Sequence, residues 1–321
     1  MPDWKPGASI EVLKLRSKLL QQTRLFFEER AVLEVETPLL ASTTVTDVHL
    51  DSMTVASNPE ANQDSAYLQT SPEFAMKRLL AAGVGACYQI CKAFRRGEAG
   101  TRHNPEFTVI EWYRPGFSMV ELMNEIVAYL RCLVDITELP RLTYRQIFQE
   151  QLGIDPHLEN ADRLQRLVQE KIDISPSASA ELDSTDYLQL LLTHCIEPAL
   201  PRDCFIYDFP CAQAALSRLE KDAEGQLVAK RFELYLGGME LANGYQELTD
   251  RSEQAVRFKA DLKRRAELGL PLVKSDARLL AALANGLPQC SGVALGLDRL
   301  VMHLAGLKSI DQALAFSHDR C

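Results

Sequence analysis

Two alternating apolar stretches separated by a cationic loop limit this fold most. Cys87 to Phe94 alternates well enough to be a strand, and Phe107, Val109, Glu111 and Tyr113 alternate with Thr108, Ile110 and Trp112 as a returning strand. The polar, glycine-containing loop between them carries Arg95, Arg96, Arg102 and His103. Two strands with such a loop can lay guanidinium groups along a phosphate chain, because the planar fork of arginine pairs bidentately with phosphate oxygens. Taken alone, the segment also reads as an ordinary solvated hairpin with a basic tip. The remaining segments decide between the two.

The charge distribution favours the first reading. The net charge is -9, yet Lys77, Arg78, Lys92, Arg95, Arg96, Arg102 and Arg114 cluster in one stretch. An acidic body argues against broad nucleic-acid binding, where a basic surface is the expected footprint. One basic mouth on such a body suits a nucleotide or an acidic protein partner. At 321 residues, 46% hydrophobic and 25% charged, the chain has the composition of a globular protein with a sizeable core. No apolar run approaches the roughly 20 residues that span a bilayer. The start, MPDWKPGAS, lacks a signal-peptide pattern, so a cytoplasmic location and no membrane partner are expected. Cys87, Cys91, Cys132, Cys195, Cys204, Cys211, Cys290 and Cys321 form no CxxC pair and read as free thiols rather than a zinc site.

In chain order, Ser9 to Arg30 predicts an amphipathic helix capped by Ser9, and Ala31 to Leu40 a short strand stopped by Pro38. Residues 41 to 65 read as a loop or irregular hairpin, and Tyr67 to Gln69 as a strand. Ser71-Pro72-Glu73 is a helix start, with an N-cap serine, a first-turn proline and a carboxylate at the positive end. Glu73 is then either a dipole-compensating glutamate or a ligand for an ammonium group. Ser118 to Glu121 is a capping box opening a helix to about Val134. Residues 141 to 200 predict a helical insertion without a catalytic constellation, in which His157 and His194 are lone structural histidines. Cys204 to Phe209 and Val228 to Leu248 read as sheet, and the latter carries Glu240, Asn243, Gly244 and Glu247. Asp250 or Ser252 opens a further helix, and the chain ends in a glycine-punctuated strand passing into a helix. The expected fold is α+β: one catalytic domain over 1–321, an antiparallel sheet flanked by helices, with the 141–200 insertion.

Four segments carry a resemblance. They are VLEVETP around Pro38, FRRGE followed by RHNPEFT, MELANGYQEL at Glu240 to Leu248, and GVALGLDR ending in Arg299. In order and spacing they resemble class II aminoacyl-tRNA synthetases, and among them the lysyl enzymes. The first signature begins by residue 9, so the resemblance implies a catalytic domain without the anticodon-binding OB domain. It is thus similar to the free-standing paralogues, the elongation factor P–(R)-β-lysine ligases. Those enzymes activate β-lysine with ATP and acylate a lysine ε-amine of elongation factor P, not tRNA.

The resemblance implies ATP and Mg²⁺ as cofactors, elongation factor P as protein substrate, lysine as a poorer substrate, and a homodimer. It places Arg95 on the α-phosphate and Arg299 on the far phosphate as the catalytic pair. It gives Arg96, Gly97, Asn104, Phe107, Glu240, Leu241 and Gly296 to ATP, with Asn104 at the adenine edge and Phe107 stacking on it. Ser71, Pro72, Glu73, Tyr113 and Ala294 fall to the amino acid. Glu240 and Glu247 would hold Mg²⁺, with Glu247 also or instead facing the substrate ammonium. Glycine at position 244 would let a ligand approach between them. Two departures stand out. Gly97 occupies the position of a usual glutamate, with Glu98 next to it. Ala294 stands where lysyl enzymes have glycine, and its methyl group would crowd an α-amino group and favour a β-amine. The competing readings are a truncated lysyl-type enzyme acting on tRNA or making dinucleotide polyphosphates, and an inactive synthetase-like regulator.

Overall fold

The computed structural model describes residues 4–55, 66–175, 179 and 182–321. The expected loop at 41–65 therefore runs partly outside the described residues. The chain opens with α1 (Ile10–Glu28), capped by the Ser9 hydroxyl, which accepts from the Val12 N–H. The short strands β1 (Leu33–Glu34), β2 (Leu40–Ala41), β3 (Thr54–Val55) and β4 (Ala66–Leu68) follow, then α2 (Glu73–Ala81). The central hairpin is β5 (Cys87–Phe94) and β6 (Glu106–Pro115), followed by α3 (Met119–Arg131). Next come β7 (Arg141–Thr143), α4 (Tyr144–Leu152), α5 (Ala161–Lys171), α6 (Ser184–Leu191), β8 (Cys204–Phe209), β9 (Leu219–Lys221), β10 (Leu227–Leu236) and β11 (Met239–Gln246). The chain closes with α7 (Arg251–Glu267), α8 (Ala277–Gly286), β12 (Cys290–Gly296) and α9 (Leu297–Ala305).

These elements form two compact units, Met1–Ile136 with Leu248–Cys321, and Thr137–Glu247. In the first unit β5 pairs antiparallel with β6, β6 antiparallel with β12, and β1 parallel with β5. One face of this sheet is packed by aromatic residues. Phe27 of α1 stacks on Tyr88 at 4.4 Å and meets Trp112 edge-on at 5.3 Å, and Tyr129 of α3 closes the cluster. Phe27, Trp112 and Tyr129 are fully buried, so this face is the core of the unit. The alternate residues of β6 face the other way, toward the site.

In the second unit β8 and β11 flank β10 in antiparallel register, β9 adds to β10, and β7 runs parallel to β8. The helices α4, α5 and α6 bury Phe148, Leu167, Val168 and Leu191 against Ile206 and Phe209 of β8. The expected helical insertion is thus present, and it belongs to a unit that also contains strands.

Two readings change in detail. The strand expected over Ala31 to Leu40 is reduced to two short pieces: the chain turns at Ala31 with φ 52°, and Pro38 offers no N–H to a ladder. The long segment Val228 to Leu248 is a hairpin whose two-residue turn is Gly237-Gly238, both at positive φ, as the right-handed twist of paired strands requires. The capping box at Ser118 falls where the sequence puts it, and of the two candidates for the later helix start it is Asp250 that caps α7.

Candidate active site

The registers β5–β6 and β6–β12 align three rows of side chains on the face away from the aromatic core. The central row is Gln89, Glu111, Ala294; beside it run Cys87, Tyr113, Gly292 and Cys91, Val109, Gly296. Directly opposed residues have Cβ atoms about 4.5–5.5 Å apart, so each row is a contact row. Gly292, Ala294 and Gly296 of β12 add nothing longer than a methyl group to these rows. Ala294 lies beside Glu111, and Gly296 ends the same strand.

Glu111 is 2% exposed. The Ser71 hydroxyl donates to its Oε1 at 2.6 Å and the Tyr113 hydroxyl to its Oε2 at 3.1 Å. Burial, reinforced by the negative charge of Glu73, pushes its carboxyl up to about 8, against the pull of both hydroxyls and of Arg95. The structure therefore gathers Ser71, Glu73, Tyr113, Ala294 and Arg95 about a residue that the motifs did not single out. A signal was available: a lone carboxylate in the middle of an apolar strand, on the same parity as Tyr113.

The two readings of Glu73 resolve toward an internal partner. Its N–H donates to Ser71 Oγ at 3.0 Å in the first turn of α2, and its carboxylate pairs with buried Lys77 at 2.6 Å. Pro72 stands at the N-cap of that helix and makes no side-chain cap bond.

The arginine loop is held from several sides. Arg95 lies 5.0 Å over the Phe107 ring and 3.5 Å from Glu98 Oε1. Phe107 shares the site face with Glu111 by strand alternation, as a base-stacking residue would. Gly97 has φ 78°, in the left-handed region, which accounts for a glycine there; Glu98 supplies the carboxylate beside Arg95. Arg299, in the first turn of α9, reaches the Arg102 carbonyl at 3.4 Å and His103 Nε2 at 2.6 Å. Both catalytic candidates, Arg95 and Arg299, thus serve the same loop.

Two loop residues depart from expectation. The Arg96 guanidinium lies 3.6 Å from Asp51 and 3.5 Å from the Thr54 hydroxyl, and so anchors the loop to the segment before β4. The Asn104 side chain is buried; its Nδ2 donates to the Glu106 carbonyl at 2.6 Å and its Oδ1 accepts from the His318 N–H at 2.9 Å. Its carboxamide thus ties the loop to the chain's C-terminal segment.

In the second unit the β10–β11 register slips between Leu234 and Tyr235, so Leu234 opposes Ala242 and Tyr235 opposes Glu240. Leu241 is the extra, bulged residue, 3% exposed. The slip changes the parity of β11, bringing Glu240 onto the face of Asn243 and, by continued alternation, of Glu247. Gly244 opposes Phe232 on the other face, so it opens no approach between the two carboxylates. Glu247 lies just past the end of β11, bridged to Ser217, and is 1% exposed.

Behind Glu240 stand Glu233 and Arg231, joined at 2.5 Å, and the Tyr235 hydroxyl, which donates to Glu233 at 3.2 Å and Glu197 at 3.1 Å. Burial pushes the Glu233 carboxyl up against the pull of Arg231, and the charge of Glu240 adds to the rise. The negative charge gathered around Glu240 fits a divalent cation. Among the described residues no three His, Cys, Asp or Glu converge on one point.

A family model described as tRNA synthetases class II (D, K and N) matches residues 3–320. The elongation factor P–(R)-β-lysine ligase of Salmonella gallinarum is 48% identical over 321 residues, covering 99% of this chain and 98% of the relative. Proteins of the same name from Salmonella dublin and Salmonella paratyphi B are 48% identical over 322 residues with the same coverage. No described helix is long and apolar enough to cross a membrane.

Proposed function

The chain belongs to the class II tRNA synthetases of the D, K and N group, and on that premise we propose that it is an ATP-dependent ligase for (R)-β-lysine, with lysine as a poorer substrate. The amino-acid carboxylate attacks the α-phosphorus of ATP, the bond to the bridging oxygen breaks, and pyrophosphate leaves. A lysine ε-amine of elongation factor P then attacks the adenylate carbonyl and AMP leaves. The protein partner comes from the names of the 48% identical relatives. The observation that carries the substrate class is Glu111, a buried carboxylate whose hydrogen-bond partners are hydroxyls, in the floor beside the arginine loop. An ammonium group would match its charge.

Positioning and charge neutralisation supply most of the catalysis in such a step, so no side-chain nucleophile is needed. Arg95 neutralises the α-phosphate and orients the carboxylate, Arg299 takes the far phosphate, and Phe107 stacks on the base. Ser71 and Tyr113 hold Glu111 toward the amine. Mg²⁺, when bound, would neutralise phosphate charge; Glu240 would hold it. Glu247, buried just past the end of β11, would join Glu240 on that ion or face a substrate ammonium. In the second step an ε-amine of pKa about 10.4 must lose its proton, and the adenylate phosphate is the acceptor we favour. The exposed apolar residues Ile10, Leu25 and Leu33 on and after α1 support a homodimer built on the first signature. We place the enzyme in the cytoplasm, with its protein substrate.

Incubation with ATP, β-lysine and purified elongation factor P tests the reading. It expects the factor to gain the mass of one β-lysyl group on a lysine; an unmodified factor alongside charged tRNA would overturn it. Ala294, beside Glu111, tests the choice between amines. Ala294→Gly should move the activation preference about tenfold toward lysine, the scale of one methyl group in a fitted pocket; an unchanged ratio of kcat/KM values would refute that role.

A further inference from the structure

Gln89 sits in the central row beside Glu111, on the side opposite Ala294. It is 2% exposed. Its Oε1 is buried with no hydrogen-bond partner among the described residues. Buried side-chain oxygens in native proteins are nearly always paired, so an orphaned acceptor on a ligand-facing floor asks for a donor. The neighbouring donors have other acceptors. Ser71 and Tyr113 donate to Glu111, Lys77 is bonded to Glu73, and Gln69 Nε2 is directed at Cys91 Sγ (3.4 Å) and the Lys92 carbonyl (3.1 Å).

Resting on the functional reading above, we propose that Gln89 is a specificity-determining residue that accepts an N–H from the substrate ammonium held by Glu111. An ammonium group has three donors in a compact cone. Glu111 supplies charge and one or two acceptors, and Gln89 supplies a neutral one beside it. The neutrality matters. A second carboxylate directly across the strand pair would repel Glu111, whereas an amide adds an acceptor without adding charge. With the Glu73 charge matched by Lys77, Glu111 is the one carboxyl of the row left to ionise against a ligand, which suits one ammonium group.

The test uses the whole chain. Gln89→Met keeps length and apolar volume and removes the acceptor; Gln89→Glu restores an acceptor. Binding of β-lysine and lysine is measured by calorimetry, and both KM values by ATP–pyrophosphate exchange. Gln89→Met should weaken diamino acid binding and raise the amino-acid KM about tenfold, with the ATP KM and the melting temperature within error of the parent. Gln89→Glu should recover part of the affinity. Parental affinity in Gln89→Met would overturn the role while leaving the function standing. So would equal losses in ATP KM and melting temperature without recovery in Gln89→Glu. If the parent itself binds neither diamino acid, the proposal and the functional reading both fall.

Discussion

Glu111 in the first unit and Glu233 in the second are nearly twins by position. Both are buried in the middle of a strand, and both carboxyls are pushed up chiefly by burial. Each accepts a hydrogen bond from a tyrosine hydroxyl two residues further on, Tyr113 at 3.1 Å and Tyr235 at 3.2 Å. They differ two residues earlier. Glu233 has Arg231 there, joined at 2.5 Å, itself donating to the Gln213 carbonyl and lying over the Phe209 ring. Glu111 has Val109, and its other close partner is the Ser71 hydroxyl. Hydroxyls satisfy lone pairs but leave the charge in place, whereas a guanidinium cancels it. Under the proposed function, the contrast separates a carboxylate that completes the fold from one whose counter-charge comes with a substrate.

The largest effects should come from removing the two carboxylates. Glu233→Gln leaves Arg231 buried beside a neutral group; breaking such a pair costs about 3–5 kcal/mol, visible as a marked fall in melting temperature. Glu111→Gln replaces a carboxyl that holds its proton up to about pH 8 by a neutral amide, so its melting temperature should hold near neutral pH and exceed the parent's above it, while kcat/KM for the diamino acid falls about a hundredfold. Equal destabilisation in both variants would erase the distinction.

Next in size is a pH effect. The carboxyl of Glu111 moves from an ordinary 4.5 to about 8 on folding. Between those values the native state holds a proton that the unfolded chain has released, so the stabilising contribution declines as pH rises through that window. Glu111→Gln should flatten the fall in melting temperature across it relative to the parent. A bound ammonium reverses the shift, so diamino acid binding near pH 7 should release a proton, read as a dependence of the calorimetric enthalpy on the buffer's heat of ionisation. No difference between parent and variant would place the titration elsewhere.

The smallest pair is the tyrosines. Tyr113→Phe should raise the amino-acid KM several-fold with little loss of stability. Tyr235→Phe should cost about 1 kcal/mol of stability, seen in denaturant unfolding, and leave the amino-acid KM unchanged. An exchange of the two outcomes would reverse the assignment.

Much of this was legible in the chain. The β5–β6 hairpin, the Ser9 and Ser118 caps and the β12-to-α9 passage follow from alternation and capping chemistry, which are local. What escaped depended on partners remote in sequence. Glu111 acquires its character from Ser71 and from the rows formed with β5 and β12. The bulge at Leu241 reverses a parity that simple counting along β11 gets wrong, and so moves Gly244 to the other face. Asn104 is enclosed by a backbone N–H from His318, more than two hundred residues away, which no motif reveals.

The charge-matching role of Glu111 is tested most directly by ATP–pyrophosphate exchange with β-lysine, lysine and norleucine, the last having the length of lysine without its terminal amine. Exchange with the two diamino acids and none above background with norleucine is the expected result. Comparable exchange with norleucine would show that the terminal ammonium is not being read, and the assignment of this floor to it would be wrong.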